Sequence, residues 1–132
     1  MTTILIVDDE YLIADILGYA LEDEGYQVVK ASNGKKGLEA LKDHNPALVI
    51  TDYMMPVLNG LEFAEQIRQE YSLQLPIILM SGAQANVGRN EENKALFAAV
   101  FDKPFNVDHV IAKVSELLGH ERAQGTDSEP AI

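Results

Sequence analysis

Five short apolar runs, each cut off by polar residues, constrain the fold of this chain more than any other feature. Ile4–Val7 stops at Asp8-Asp9, and Val28-Val29, inside Gln27–Ala31, stops at Ser32. Ala47–Ile50 delivers Asp52 to a loop that bends at Pro56 and again at Asn59-Gly60. Ile77–Met80, opened by Pro76, runs into Ser81-Gly82, and Ala98–Phe101 ends at Asp102-Lys103-Pro104-Phe105. Runs this short, without polar alternation, read as strands covered on both faces.

The segments between them carry helical spacing. Leu12, Ile13, Ile16, Leu17, Ala20 and Leu21 make Tyr11–Glu24 an amphipathic helix with Gly25 as its C′ residue. Ser32-Asn33-Gly34 turns into a short helix with Leu38 and Leu41 inward, closed by Asn45-Pro46. Asn59 caps a helix from Gly60 to Glu70 built on Leu61, Ala64 and Ile67. Asn106 caps a last helix bearing Val107, Val110, Ile111, Val114, Leu117 and Leu118. Ala83–Lys94, polar and containing Gly88, has the least helical pattern. Strands that alternate with helices call for an α/β fold, a parallel sheet with helices on both faces. Residues 1–119 are expected to form that domain. From His120 to Ile132 there is little to bury, and this stretch is expected to be a flexible tail.

Composition narrows the function. A length of 132 residues suits one domain, so no output domain is expected beside it. A formal net charge of −11 argues against nucleic acid as a direct partner, because phosphate binding needs clustered Lys and Arg. With no cysteine, disulfides, thiolate metal sites and Cys nucleophiles are excluded. The apolar N-terminal run is too short for a signal peptide or a membrane span, so a cytoplasmic protein without membrane contact is expected.

In an open parallel sheet, ligands bind outside the carboxyl ends of the strands. Asp8-Asp9, Asp52, Ser81 and Lys103 end strands one, three, four and five. Three carboxylates gathered there need a shared cation, and an all-oxygen donor set with no His or Cys suits Mg²⁺. Lys103 adds a positive charge and Ser81 a hydroxyl donor, which would stabilise a phosphoryl group in transfer to Asp52 as nucleophile. Taken singly, Asp8 or Asp9 would be helix-start residues, Ser81-Gly82 a turn, and Lys103 a solvated cation. Their joint placement favours a site. His44, His109 and His120 read as surface residues, and Tyr11, Tyr19 and Tyr71 as helix-surface or rim residues.

The motifs ILIVDDE, LVITDYMMPVLNG, PIILMSG and DKPF, in this order, resemble the receiver domain of two-component response regulators, over roughly Thr3 to Leu118. The resemblance is to single-domain, chemotaxis-regulator-like members. It implies the flavodoxin-like strand order 2-1-3-4-5 known for this family. It further implies Asp52 as phosphoacceptor and Asp9 as direct Mg²⁺ ligand, with Asp8 acting on the ion mainly through water. The backbone carbonyl of Met54 would be a further ligand. Ser81 would hydrogen-bond the phosphoryl group, Lys103 would contact it, and the Lys103–Pro104 bond would be cis. The donor would be a phosphohistidine on a sensor histidine kinase or a histidine phosphotransfer protein, as in a phosphorelay, with small acyl phosphates as substitutes.

This chain departs from the family at Val100, where many members carry an aromatic residue; Phe101 should face the opposite way by strand alternation. Output is therefore expected to depend more on Ala83–Lys94. Met54 and Ala83, which flank the acceptor in the family geometry, cannot activate a water, so slow self-dephosphorylation is expected. A receiver-like interaction module that is never phosphorylated would have lost Asp52, the acidic pair or Lys103. A flavin- or nucleotide-binding protein would want a phosphate-cradling first loop, where this chain has Val7-Asp8-Asp9-Glu10. A haloacid-dehalogenase-type phosphatase would want an acid where Met54 stands.

Overall fold

The computed structural model describes residues 2–82 and 93–119. Its elements run β1 (Thr3–Val7), α1 (Tyr11–Asp23), β2 (Gln27–Ala31), α2 (Gly34–His44), β3 (Leu48–Asp52), α3 (Gly60–Glu70), β4 (Ile77–Ser81), a 3₁₀ turn (Lys94–Leu96), β5 (Ala99–Asp102) and α4 (Val107–Leu118). The strands form one parallel sheet in the order β2-β1-β3-β4-β5, as the resemblance implied. β3 is central, so the strand that carries Asp52 is walled on both sides.

Strand alternation divides the core between the two faces of the sheet. Ile4, Ile6, Leu48, Ile50, Ile78 and Met80 point to one face and pack on α1 and α4 through Leu17, Leu21, Val110 and Val114. Leu5, Val7, Val49, Ile77 and Leu79 point to the other and meet α2 and α3 through Leu41, Phe63 and Ile67. β1, β3 and β4 are buried on both faces, and each fully buried aliphatic side chain contributes about 1.5–3 kcal/mol to stability. Val100 and Phe101 fall on opposite faces, Val100 with the α2/α3 layer and Phe101 with the α1/α4 layer. Phe101 therefore does not occupy the place of the family's aromatic.

Asp52 and Ser81 are the last residues of β3 and β4, as expected, with Asp52 paired to Met80 and Ser81 to Asp102. Other expectations are corrected. β5 begins and ends one residue later than the apolar run Ala98–Phe101 suggests. In α1, Leu12 and Ile16 face solvent, 65% and 54% exposed. The inner stripe is Ala14, Leu17, Gly18 and Leu21, a spacing of three and four residues that a search for large apolar side chains overlooks. α1 closes at Asp23, and Gly25 takes φ 97, as a C′ glycine should. Tyr11 and Tyr19 are exposed, Tyr71 donates its hydroxyl to the Asn45 side chain, and His44 and His109 are on the surface. Most of Ala83–Lys94, His120 and the expected tail lie outside the described residues.

Candidate functional site

The site is assembled at the carboxyl edge of β1, β3, β4 and β5, and each loop there has a local reason for its path. After β1, the Asp8 amide donates to the Ala31 carbonyl at 3.0 Å, while its Oδ1 accepts from the Glu10 amide at 2.8 Å. That side-chain turn brings the chain into α1. After β3, the Tyr53 amide donates to Met80 and the Gly60 amide returns to the Tyr53 carbonyl at 2.8 Å. The return needs glycine, since a Cβ on Gly60 would overlap the Asp52 carbonyl oxygen and lie 2.9 Å from the Tyr53 Cα. Asn59 then starts α3 with a capping box: its Oδ1 accepts from the Glu62 amide at 2.8 Å, and Glu62 Oε1 accepts from the Asn59 amide at 3.0 Å. Between these anchors the Leu58 amide donates to the Pro56 carbonyl at 2.8 Å, with Val57 at φ 72. This tight three-residue turn is strained at a β-branched residue.

Lys103 enters from β5. Its amide donates to the Ser81 carbonyl at 2.7 Å, and its bond to Pro104 is cis. The ammonium Nζ lies 3.0 Å from Asp52 Oδ1, 3.3 Å from Glu10 Oε1 and 3.9 Å from Asp8 Oδ2. Carboxylate oxygens of Asp8, Glu10 and Asp52 lie within 4.8 Å of one another. An open cavity of about 270 Å³ adjoins them, lined by Asp9, Glu10, Asp52, Met54, Gly82 and Lys103.

Burial sets the electrostatics. It pushes the Asp8 carboxyl from 3.8 up to about 6; the Asp52 charge adds to the rise, and the Glu10 amide and Lys103 oppose it. Burial likewise raises Asp52, against the hydrogen bond and charge of Lys103, with Asp9 adding to the rise. For Lys103 burial works downward, but the Asp52 hydrogen bond and the charges of Asp8 and Asp52 outweigh it and hold the ammonium above its ordinary value. A carboxylate cluster with one cationic neighbour carries excess negative charge that a hard divalent cation would relieve. The donor set, carboxylate oxygens without His or Cys, fits such an ion.

Of the residues singled out in the sequence, the fold brings Asp8, Asp52 and Lys103 into direct contact. Asp9 is exposed and lines the cavity, outside the tight carboxylate cluster. Met54 lines the cavity and is 62% exposed. Ser81 is fully buried at the end of β4, and its neighbour Gly82 lines the cavity. Glu10 was not foreseen. Its place directly after Asp8-Asp9, at the start of α1, is the signal that could have found it. Arg68 was also missed: its guanidinium donates to the carbonyls of Ser72, Leu75 and Leu96, tying the end of α3 to the segments that flank β4.

A family model described as the response regulator receiver domain matches residues 4–115. The chain belongs to that family of phosphoacceptor signalling switches. It is 32% identical to the alkaline phosphatase synthesis transcriptional regulatory protein PhoP of Bacillus subtilis, over 96% of this chain and 52% of that protein. It is also 32% identical to the phosphate regulon transcriptional regulatory protein PhoB of Pseudomonas aeruginosa, over 98% of this chain and 56% of that protein. The chain thus spans about half the length of the curated relatives it matches. Among solved structures, the response regulator TrrA of Thermotoga maritima, in complex with Mg²⁺-BeF, superposes with a TM-score of 0.78 at 35% identity, covering 89% of this chain and 99% of that one. A Francisella response regulator receiver domain gives 0.81 at 26% identity, covering 90% and 98%. Among the described residues, no helix is long and apolar enough to cross a membrane.

Proposed function

We propose that Asp52 accepts a phosphoryl group from a phosphohistidine of a sensor histidine kinase or histidine phosphotransfer protein, and that the modification switches a protein-binding surface. The observation that carries this reading is the contact of the Lys103 ammonium with the buried Asp52 carboxylate, inside a cluster of further carboxylates. A carboxylate oxygen of Asp52 forms the new O–P bond as the donor's P–N bond breaks, and the imidazole leaves with the electron pair. Lys103 offsets the negative charge that gathers on the transferring oxygens, in a partly buried setting where that contact is stronger than in water. Ser81 donates its hydroxyl to the phosphoryl group once it is in place.

Asp8, Asp9, Asp52 and the Met54 backbone carbonyl would hold Mg²⁺, and the exposed, cavity-lining position of Asp9 supports a direct role for it. When bound, that ion supplies charge neutralisation for the carboxylates and the phosphoryl oxygens. Met54 offers no group that could activate a water at Asp52, which supports slow self-dephosphorylation. The receiver unit falls within residues 1–119, and the protein works in the cytoplasm.

Intact-mass measurement after incubation with Mg²⁺ and a small acyl phosphate tests this reading. One added phosphoryl group is expected for the parent chain and none for Asp52→Asn. An adduct on Asp52→Asn, or none on the parent, would sink it.

A further inference from the structure

We propose that Glu10 is a positioning residue for Lys103: its carboxylate tethers the ammonium in the unphosphorylated protein, and the tether is given up when a phosphoryl group arrives on Asp52. The inference rests on the reading of Asp52 as phosphoacceptor, and it adds a part to that site.

Glu10 is the N-cap residue of α1, in extended conformation, yet its side chain makes no cap hydrogen bond. The other described α-helices all begin on an asparagine that does cap. The Glu10 carboxylate lies instead 3.3 Å from Lys103 Nζ, across 93 positions of sequence. The backbone fixes this reach, because the Glu10 amide donates to Asp8 Oδ1 at 2.8 Å and so sets where the side chain departs.

The three carboxylates around Lys103 differ in kind. The Asp8 and Asp52 side chains are 4% and 6% exposed, whereas that of Glu10 is 61% exposed. A contact to an exposed carboxylate is screened and exchangeable. A contact to a buried one is not, since breaking it strands a charge. A phosphoryl group brings a charge of about −1.5 to −2 near neutral pH. Lys103 can turn toward that charge at least cost by leaving its exposed partner. Glu10 and Lys103 also both line a second, mainly apolar hollow of about 530 Å³, between α1 and the loop after β5, with Ile13, Ile16, Pro104 and Phe105. Release of Glu10 would therefore free an uncompensated carboxylate at the rim of that hollow.

The tests compare the parent chain with Glu10→Gln and Glu10→Asp, neither of which removes a helix cap. NMR relaxation of the Lys103 Cε group in the unliganded protein reads the tether itself. Greater mobility is expected in both variants, because the shorter Asp loses the reach; unchanged mobility would overturn the proposal. Beryllofluoride titration with Mg²⁺ reads its release, and Glu10→Gln should bind about three- to fivefold tighter, the scale of a lost screened contact. Glu10→Asp should follow Glu10→Gln; if it matches the parent instead, the effect is that of charge alone and the tether is wrong. Mg²⁺ affinity without beryllofluoride should fall less than about tenfold in Glu10→Gln, the loss of a neighbouring charge and not of a ligand. A fall of about tenfold or more would make Glu10 a metal-site residue and overturn the assignment. Failure of the parent chain to bind beryllofluoride would defeat the phosphoacceptor reading, and with it the release step, while the relaxation result still decides whether Glu10 holds Lys103.

Discussion

The starts of α3 and α1 flank the same site and are built on opposite principles. At α3, Asn59 and Glu62 satisfy each other's backbone amides, and Gly60 lets the chain close directly against Asp52. At α1, Glu10 leaves the helix start without a side-chain cap and spends its carboxylate on Lys103. The first loop fixes where the acceptor carboxylate stands. The second supplies charge, at some cost to local helix stability. A local rule broken at α1 and kept at the other described α-helices marks where function has overridden stability.

Gly60→Ala should break the rigid side of this comparison with the largest effect. Its methyl group meets backbone on both Asp52 and Tyr53, which cannot yield as a side chain would. A loss of about 3 kcal/mol or more in denaturant unfolding is expected, the upper range for overpacking. A loss well below that would mean the loop is softer than its hydrogen bonds imply.

The charged side is broken next by pH. Asp8 holds its proton up to about 6 in the folded protein, against 3.8 without the fold. Across that window the native state binds more protons than the unfolded one, so without divalent cation stability should fall as pH rises from about 4 to 6. Asp8→Asn should flatten that decline, and Mg²⁺ at neutral pH should offset it by binding only the folded state. Thermal melts across the window, with and without the ion, check both.

Asn59→Ala should cost about 1–2 kcal/mol, and more than Asn106→Ala, because only Asn59 belongs to a reciprocal capping box. Equal losses would remove the special status of the α3 start. The smallest effect sharpens the contrast: Glu10→Asn gives α1 the cap its neighbours have. It should gain about 0.5–1 kcal/mol while loosening Lys103. A variant that gained nothing would show that Glu10 already serves α1 as well as a cap would.

The sheet and the convergence of Asp8, Asp52 and Lys103 were legible in the sequence, because apolar runs that end in polar residues report both burial and strand ends. The inner face of α1 was misjudged at Leu12 and Ile16. Small residues, Ala14 and Gly18, let that helix pack closely, and size-weighted patterns cannot see them. Glu10 stayed hidden because its partner lies far along the chain, and an acidic residue at a helix start has an ordinary explanation in the helix dipole. The strained turn at Val57 was equally invisible, since nothing in a valine announces a positive φ.

Where the phosphoryl group goes is read directly by hydroxylamine trapping followed by peptide mapping. Hydroxylamine converts an aspartyl phosphate to a hydroxamate while leaving unmodified carboxylates alone. After treatment with Mg²⁺ and an acyl phosphate, a hydroxamate is expected on Asp52 alone, absent without the cation and weakened in Lys103→Ala. Labelling at another residue, or at Asp52 without any need for Lys103, would contradict that expectation.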